Sequence, residues 1–87
     1  MIELYQAESC PWCSKVRKKL TELGISYVSH NPRHTSKSGG DIINQLSYDS
    51  MMALGGEDQI PFLVDNTTGI SLYESSDITE YLDKNYA

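Results

Sequence analysis

Cys10-Pro11-Trp12-Cys13 places two thiols three positions apart, after a short run of strand character and at the start of a run with helical spacing. Residues i and i+3 share a helix face, so the two sulfurs can form a disulfide with little backbone movement. A helix start also puts unpaired N–H groups and the positive end of the macrodipole beside the first sulfur. Both features favour thiolate over thiol and lower the pKa expected there, and the thiolate is the nucleophile. Pro11 fits the first helical position, where its missing N–H costs nothing. Cys10 is therefore the candidate nucleophile, expected to be accessible at its turn. Cys13, one turn inside on the buried stripe with Val16, is the candidate resolving thiol. Such a pair performs thiol–disulfide exchange.

The elements that hold this pair can be read in order. Ile2 to Tyr5 alternates apolar and polar residues as a first strand. Val16, Leu20 and Leu23 recur at helical spacing from Pro11, with Lys15, Arg17, Lys18 and Lys19 expected on a solvated face and Gly24 as the stop. Ile25 to Ser29 is a second strand, parallel to the first because a helix is the standard crossover. His30 to Gly40 is a polar connection. Asp41 is expected to cap a second helix carrying Ile42, Ile43, Leu46, Met51, Met52 and Leu54, with a break allowed at Ser47 to Ser50 and an end at Gly55-Gly56. Ile60 to Val64 is apolar enough for a strand buried on both faces. Asn66 to Gly69 is a hairpin turn, and Ile70 to Tyr73 an antiparallel fourth strand. Ser75, Ser76 and Asp77 are expected to cap a last helix, with Glu80 placed for a capping box on Asp77. The order βαβ-α-ββα predicts an α/β domain: a four-stranded mixed sheet flanked by three helices.

Eighty-seven residues make one domain. A net charge of −5 argues against nucleic acid or an anionic membrane as partner. The longest apolar run, Ile60 to Val64, is too short for a membrane span or a secretory signal. Both cysteines lie in one motif, and a bond between them closes almost no loop, so it would stabilise little. The pair makes more sense as chemistry in a reducing, cytoplasmic setting. A zinc reading has one support, the spacing C-x2-C-x16-H-x3-H through His30 and His34. Asn31-Pro32 disfavours the helix those histidines would share, so they are expected in a solvated loop and no metal is expected.

With Cys10-Pro11-Trp12-Cys13 on a βαβ unit, the chain resembles the thioredoxin fold, and within it the glutaredoxins. Gln59-Ile60-Pro61-Phe62 is similar to the segment that carries the fold's cis-proline. Tyr73-Glu74-Ser75-Ser76-Asp77-Ile78 matches in position the glutaredoxin G-G-x-[ST]-D segment. In letters it matches the E-S-x-x-I segment of glutathione-transferase N-terminal domains. Two departures stand out. Glu8 and Ser9 occupy the neighbourhood where glutaredoxins often carry a lysine, and Tyr73-Glu74 replaces the G-G pair. A transferase would carry an additional helical domain, which is not expected before Ala87.

The resemblance implies glutathione as reductant and ligand, with disulfide-containing or glutathionylated proteins as substrates of a monomer. It places the glutathione site on Trp12, Lys15, Gln59, Ile60, Pro61, Glu74, Ser75, Ser76 and Asp77. The Ile60 main chain would pair with the ligand as an added strand. The last helix start would take its γ-glutamyl carboxylate and Asp77 its α-amine. Lys15 would stand in for the missing lysine. Two other readings compete. One is a redoxin of the same fold reduced by a flavin-dependent thioredoxin reductase. The other is a binding module that holds glutathione or shares an iron–sulfur cluster through Cys10.

Overall fold

A computed structural model describes residues 1–37 and 39–87. Of the connection expected over His30 to Gly40, Ser38 lies outside the described residues. The elements are β1 (Ile2–Tyr5), α1 (Pro11–Glu22), β2 (Tyr27–His30), α2 (Gln45–Gly55), β3 (Phe62–Asp65), β4 (Ile70–Tyr73) and α3 (Ser75–Tyr86). The sheet order is β2-β1-β3-β4. β1 runs parallel to β2, with Leu4 opposite Ser29, and antiparallel to β3, with Leu4 opposite Leu63. β4 returns antiparallel on β3. This is the βαβ-α-ββα arrangement expected from the sequence.

Alternation along the central strands divides the core in two. Leu4 and Leu63 join Val16 and Leu20 of α1 and Ile78 and Leu82 of α3 in one apolar cluster. Tyr5, Phe62 and Val64 join Met51 of α2 in the other, which also holds Cys10, Cys13 and Ile60. All four residues of β3 are buried, as its apolar run requires. The cysteines thus belong to the α2 side of the sheet while most of α1 packs on the opposite side.

The ends of α1 follow the sequence closely. Cys10 is its N-cap in extended conformation, Pro11 opens it, and Gly24 follows its end at φ 67°. α2 does not begin at Asp41. Asn44 is the N-cap, its side-chain oxygen accepting the Ser47 N–H at 3.0 Å, and the helix runs unbroken through Ser47 to Ser50. Ile42 and Ile43 lie in the preceding loop, where Ile42 bridges to Arg33 and the Ile43 N–H donates to the Pro32 carbonyl at 2.8 Å. β2 is shifted by two residues at its start and takes in His30, so that histidine is not in a solvated loop. Its ring stacks on Tyr5 at 4.5 Å and its Nε2 lies 2.7 Å from Glu3. His34 is exposed.

Gly55 closes α2 under the ring of Tyr73. A Cβ there would fall inside the van der Waals shell of the Tyr73 hydroxyl and 2.9 Å from the Phe62 ring. That hydroxyl accepts the Glu57 N–H at 3.0 Å and donates to the Glu57 carbonyl at 2.8 Å, so it cannot retreat without losing both bonds. Overpacking costs roughly 1–3 kcal/mol, against the roughly 0.5–1 kcal/mol that alanine gains over glycine in a helix. Gly55→Ala is therefore expected to lower the midpoint of thermal unfolding by several degrees; an unchanged or raised midpoint would show that Tyr73 moves freely.

Candidate functional site

α1 begins where β1 ends, and its N-cap sulfur does the work that a serine oxygen often does at such a place. Cys10 Sγ accepts the Cys13 N–H at 3.1 Å. Cys13 is fully buried, and desolvation and its hydrogen bond with the Cys10 sulfur push its thiol above the ordinary range. Both cysteines are free thiols. Cys10 is only 1% exposed, which corrects the expectation of an accessible nucleophile. Ala7 before it, Met51 from α2 and the Ile60–Phe62 segment close around it in the same cluster.

A cleft of about 400 Å³ adjoins the first turn of α1 and is lined by Trp12, Lys15, Gln59, Ile60, Pro61, Glu74, Ser75 and Ser76, with neither cysteine sulfur in its lining. Eight of the nine positions singled out for ligand binding thus come together from three separate stretches of chain. Asp77 does not line the cleft; it is exposed in the first turn of α3. Trp12 projects into solvent, 52% exposed, and carries the Lys15 ammonium 4.7 Å from its ring centre. The Ile60–Pro61 peptide bond is cis. Among the described residues no hydrogen-bond partner meets the Ile60 main-chain N–H or carbonyl.

The far wall is the start of α3, and it is not capped as expected. Glu74 is the N-cap, no side chain caps it, and Ser75, Ser76 and Asp77 form the first helical turn instead. The first N–H groups of α3 are therefore left for a ligand or water, in a cleft that Ser75 and Ser76 line. Glu74 takes φ 67°, the one positive value at a non-glycine position among the described residues. Such strain clusters at ligand clamps. Its carboxylate accepts from Gln59 Nε2 at 2.8 Å, which ties the two walls together.

At φ 67° a glycine would occupy position 74 without strain. Glu74→Gly is expected to raise stability by about 1 kcal/mol and to weaken ligand binding, since the Gln59 tie and the carboxylate are lost together. Thermal unfolding and glutathione titration on the same protein check this; a loss of stability would mean that the tie outweighs the strain.

Sequence reasoning misses Arg17, whose spacing puts it on the solvated face of α1. It is half-buried and folds back on the loop before Cys10, reaching Gln6, Ala7 and Glu8. It also misses Arg33, 1% exposed, paired with Asp58 just before Gln59 and donating to the Gly40 carbonyl at 2.8 Å. Neither leaves a spacing signal, because their partners lie in other segments. Among the described residues no three His, Cys, Asp or Glu side chains are grouped to hold a metal ion, and no helix is long and apolar enough to cross a membrane.

Residues 4–87 match the family described as Glutathione S-transferase, N-terminal domain. Solved structures share the fold. A delta-class glutathione transferase of Nilaparvata lugens superimposes with a TM-score of 0.77 at 21% identity, over 100% of this chain and 37% of that one. Glutathione Transferase E6 from Drosophila melanogaster gives 0.76 at 21% identity, over 100% and 36%. Glutathione S-transferase 1-6 from Anopheles dirus species B gives 0.70 at 27% identity, over 98% and 36%. The fold is thus the thioredoxin-like one of transferase N-terminal domains, and the chain spans little more than a third of these structures' length. No curated protein matches the sequence.

Proposed function

Because the chain belongs to the glutathione S-transferase N-terminal domain family, we propose that it is a glutathione-dependent thiol–disulfide oxidoreductase acting through Cys10 and Cys13. Its substrates are protein disulfides or glutathione–protein mixed disulfides, in a reducing, cytoplasmic setting. The observation that carries this reading is the Cys10 sulfur at the α1 N-cap, accepting the Cys13 N–H with a second thiol one turn inside. A hydroxyl at that cap could not exchange with a disulfide, whereas a thiol forms the covalent mixed disulfide itself.

The cleft has the groups that a small thiol peptide with two carboxylates and one ammonium needs. The free N–H groups of α3 with the Ser75 and Ser76 hydroxyls suit one carboxylate, and Lys15 suits the other. Glu74, rather than Asp77, suits the ammonium, because it lines the cleft. Ile60 offers an open main-chain N–H and carbonyl to the peptide backbone.

In the mechanism, Cys10 thiolate attacks the glutathione sulfur of a mixed disulfide. A Cys10–glutathione disulfide forms, and the protein sulfur leaves as thiolate and takes a proton from solvent. A second glutathione thiolate then attacks the bound glutathione sulfur, producing oxidised glutathione and restoring Cys10. With a protein disulfide, Cys10 attacks one of its sulfurs and Cys13 then attacks Cys10, leaving a Cys10–Cys13 disulfide that glutathione reduces.

The test is disulfide reduction coupled to NADPH through glutathione reductase. Turnover that saturates with glutathione is expected. No turnover with glutathione, together with turnover under thioredoxin reductase, would replace glutathione by a flavoprotein reductant. Visible absorption in freshly purified protein would instead favour a shared iron–sulfur cluster.

A further inference from the structure

Arg17 stands one turn after Cys13 on α1, and its guanidinium reaches back over the loop that leads to Cys10. It donates to the Gln6 side-chain carbonyl, to the Ala7 carbonyl at 3.3 Å and to the Glu8 carbonyl at 3.4 Å. Its ion pair with Glu8, at 3.7 Å, is to a carboxylate 82% exposed, so solvent screens most of that attraction. Gln6 is buried and anchored on the other side, to Ser29 at 3.1 Å and Asn31 at 2.6 Å. The loop is therefore held between β2 and Arg17.

Ala7 is the shared point. Its carbonyl accepts the Cys10 N–H at 3.2 Å and the Arg17 donor, and a backbone hydrogen bond from Ala7 favours the Cys13 thiolate. Burial and the Cys10 sulfur disfavour a Cys13 thiolate; the Ala7 backbone hydrogen bond and, to a smaller degree, the Arg17 charge oppose them. The titratable side chains within the apolar cluster that holds Cys13 are Cys10 and Tyr5, with Tyr48 of α2 and Tyr73 of β4 packed at its edge and His30 stacked on Tyr5.

We propose that Arg17 is the positioning residue of the resolving step: through the Ala7 carbonyl it fixes the peptide segment that holds the Cys10 N–H and serves the Cys13 sulfur, and it supplies a positive charge under which Cys13 attacks. The proposal rests on the dithiol reading given above. In that step Cys13 thiolate attacks Cys10 Sγ of a mixed disulfide and the Cys10–Cys13 bond forms. The bond from Cys10 to the outgoing sulfur breaks, and the outgoing thiolate takes up the proton that Cys13 gave to solvent. The mixed disulfide is itself the oxidant.

Dithiobis(nitrobenzoate), at one equivalent in stopped flow, separates the two events. Attack by Cys10 releases a first coloured thiolate, and resolution by Cys13 releases a second. Arg17→Gln is expected to slow the second release by up to about tenfold relative to the first and to move its pH profile upward. Arg17→Lys, which keeps the charge without the planar fork and covers an unstable Gln variant, is expected to fall between Gln and parent. A second phase at the parent rate in the Lys variant, or equal slowing of both phases in either variant, overturns the proposal. Release of a single equivalent by the parent protein is a different failure: it removes the dithiol reading itself, before any Arg17 variant is made.

Discussion

Cys10→Ser is expected to lose disulfide turnover on the order of a thousandfold or more, the scale seen when a nucleophile is deleted from a site left otherwise intact. Serine is a preferred N-cap and its oxygen can accept the Cys13 N–H that the sulfur now accepts at 3.1 Å. The variant should therefore keep α1 and its thermal stability, so that the loss is one of chemistry. Cys13→Ser is expected to behave differently. It retains reduction of glutathione–protein mixed disulfides, which needs one thiol, and loses most reduction of protein disulfides, which needs two. The burial of Cys13 accounts for the order of events. Its thiol is held up partly by the Cys10 sulfur, and a mixed disulfide at Cys10 removes the charge that opposes Cys13 ionisation. Turnover of Cys10→Ser above about a tenth of the parent would exclude Cys10 as nucleophile. Equal loss of both reactions in Cys13→Ser would mean that Cys13 serves the site as packing rather than as a thiol.

How much of this is legible in the sequence depends on how local the cause is. α1 can be read from end to end because its cap, its proline, its apolar spacing and Gly24 all lie within about fifteen residues of one another. β3 can be read because a short unbroken apolar run that ends at a turn fits little besides a strand buried on both faces. The start of α2 cannot. Asp41 and Asn44 are both good caps, and Ile42 and Ile43 continue the helical apolar pattern. Yet they pair with Arg33 and Pro32 and stay 41% and 48% exposed. Arg33 itself reads as a loop charge, and its burial depends on Asp58, far along the chain. Short motifs name the cleft residues, and the fold brings eight of them together. What the motifs cannot supply is the positive φ at Glu74, the Gln59–Glu74 tie and the burial of Cys10, since each arises only when β4, α2 and the segment before β3 meet.

Asp65→Ala is expected to cost roughly 2–4 kcal/mol, from the loss of several hydrogen bonds to one buried charge. Asp65 is fully buried at the end of β3. It accepts from Tyr86 at 2.6 Å, from Tyr81 at 2.7 Å and from the Thr67 N–H at 3.0 Å. Burial pushes its carboxyl up, but the bonds from Tyr86, Tyr81 and the amides of Thr67 and Thr68 outweigh this and hold it below the usual carboxylate range. In acid the native state binds fewer protons than the unfolded chain, so this stabilisation is complete above the unfolded carboxylate value near about 4 and is lost as pH falls through the lowered native value. Tyr86, raised to about 12 mainly by its bond to Asp65, behaves in the opposite sense. Its contribution is complete below the unfolded phenol value of about 10 and is lost as pH rises toward about 12. Thermal unfolding from about pH 3 to pH 11 should therefore show both limbs flattened in Asp65→Ala and a midpoint more than about 10 °C lower at pH 7. The acid limb will not vanish, because Glu3 is also held low, by Asn66 and then His30. An alkaline limb identical to the parent's would show that Tyr86 is not tied to Asp65. The consequence reaches the cleft through α3. Its C-terminal half is pinned by this carboxylate and by Lys19 on Asp83 at 3.0 Å, and its middle by Ile78 and Leu82 in the core. The N-terminal turn that carries Ser75 and Ser76 is aimed by those anchors and by no cap of its own.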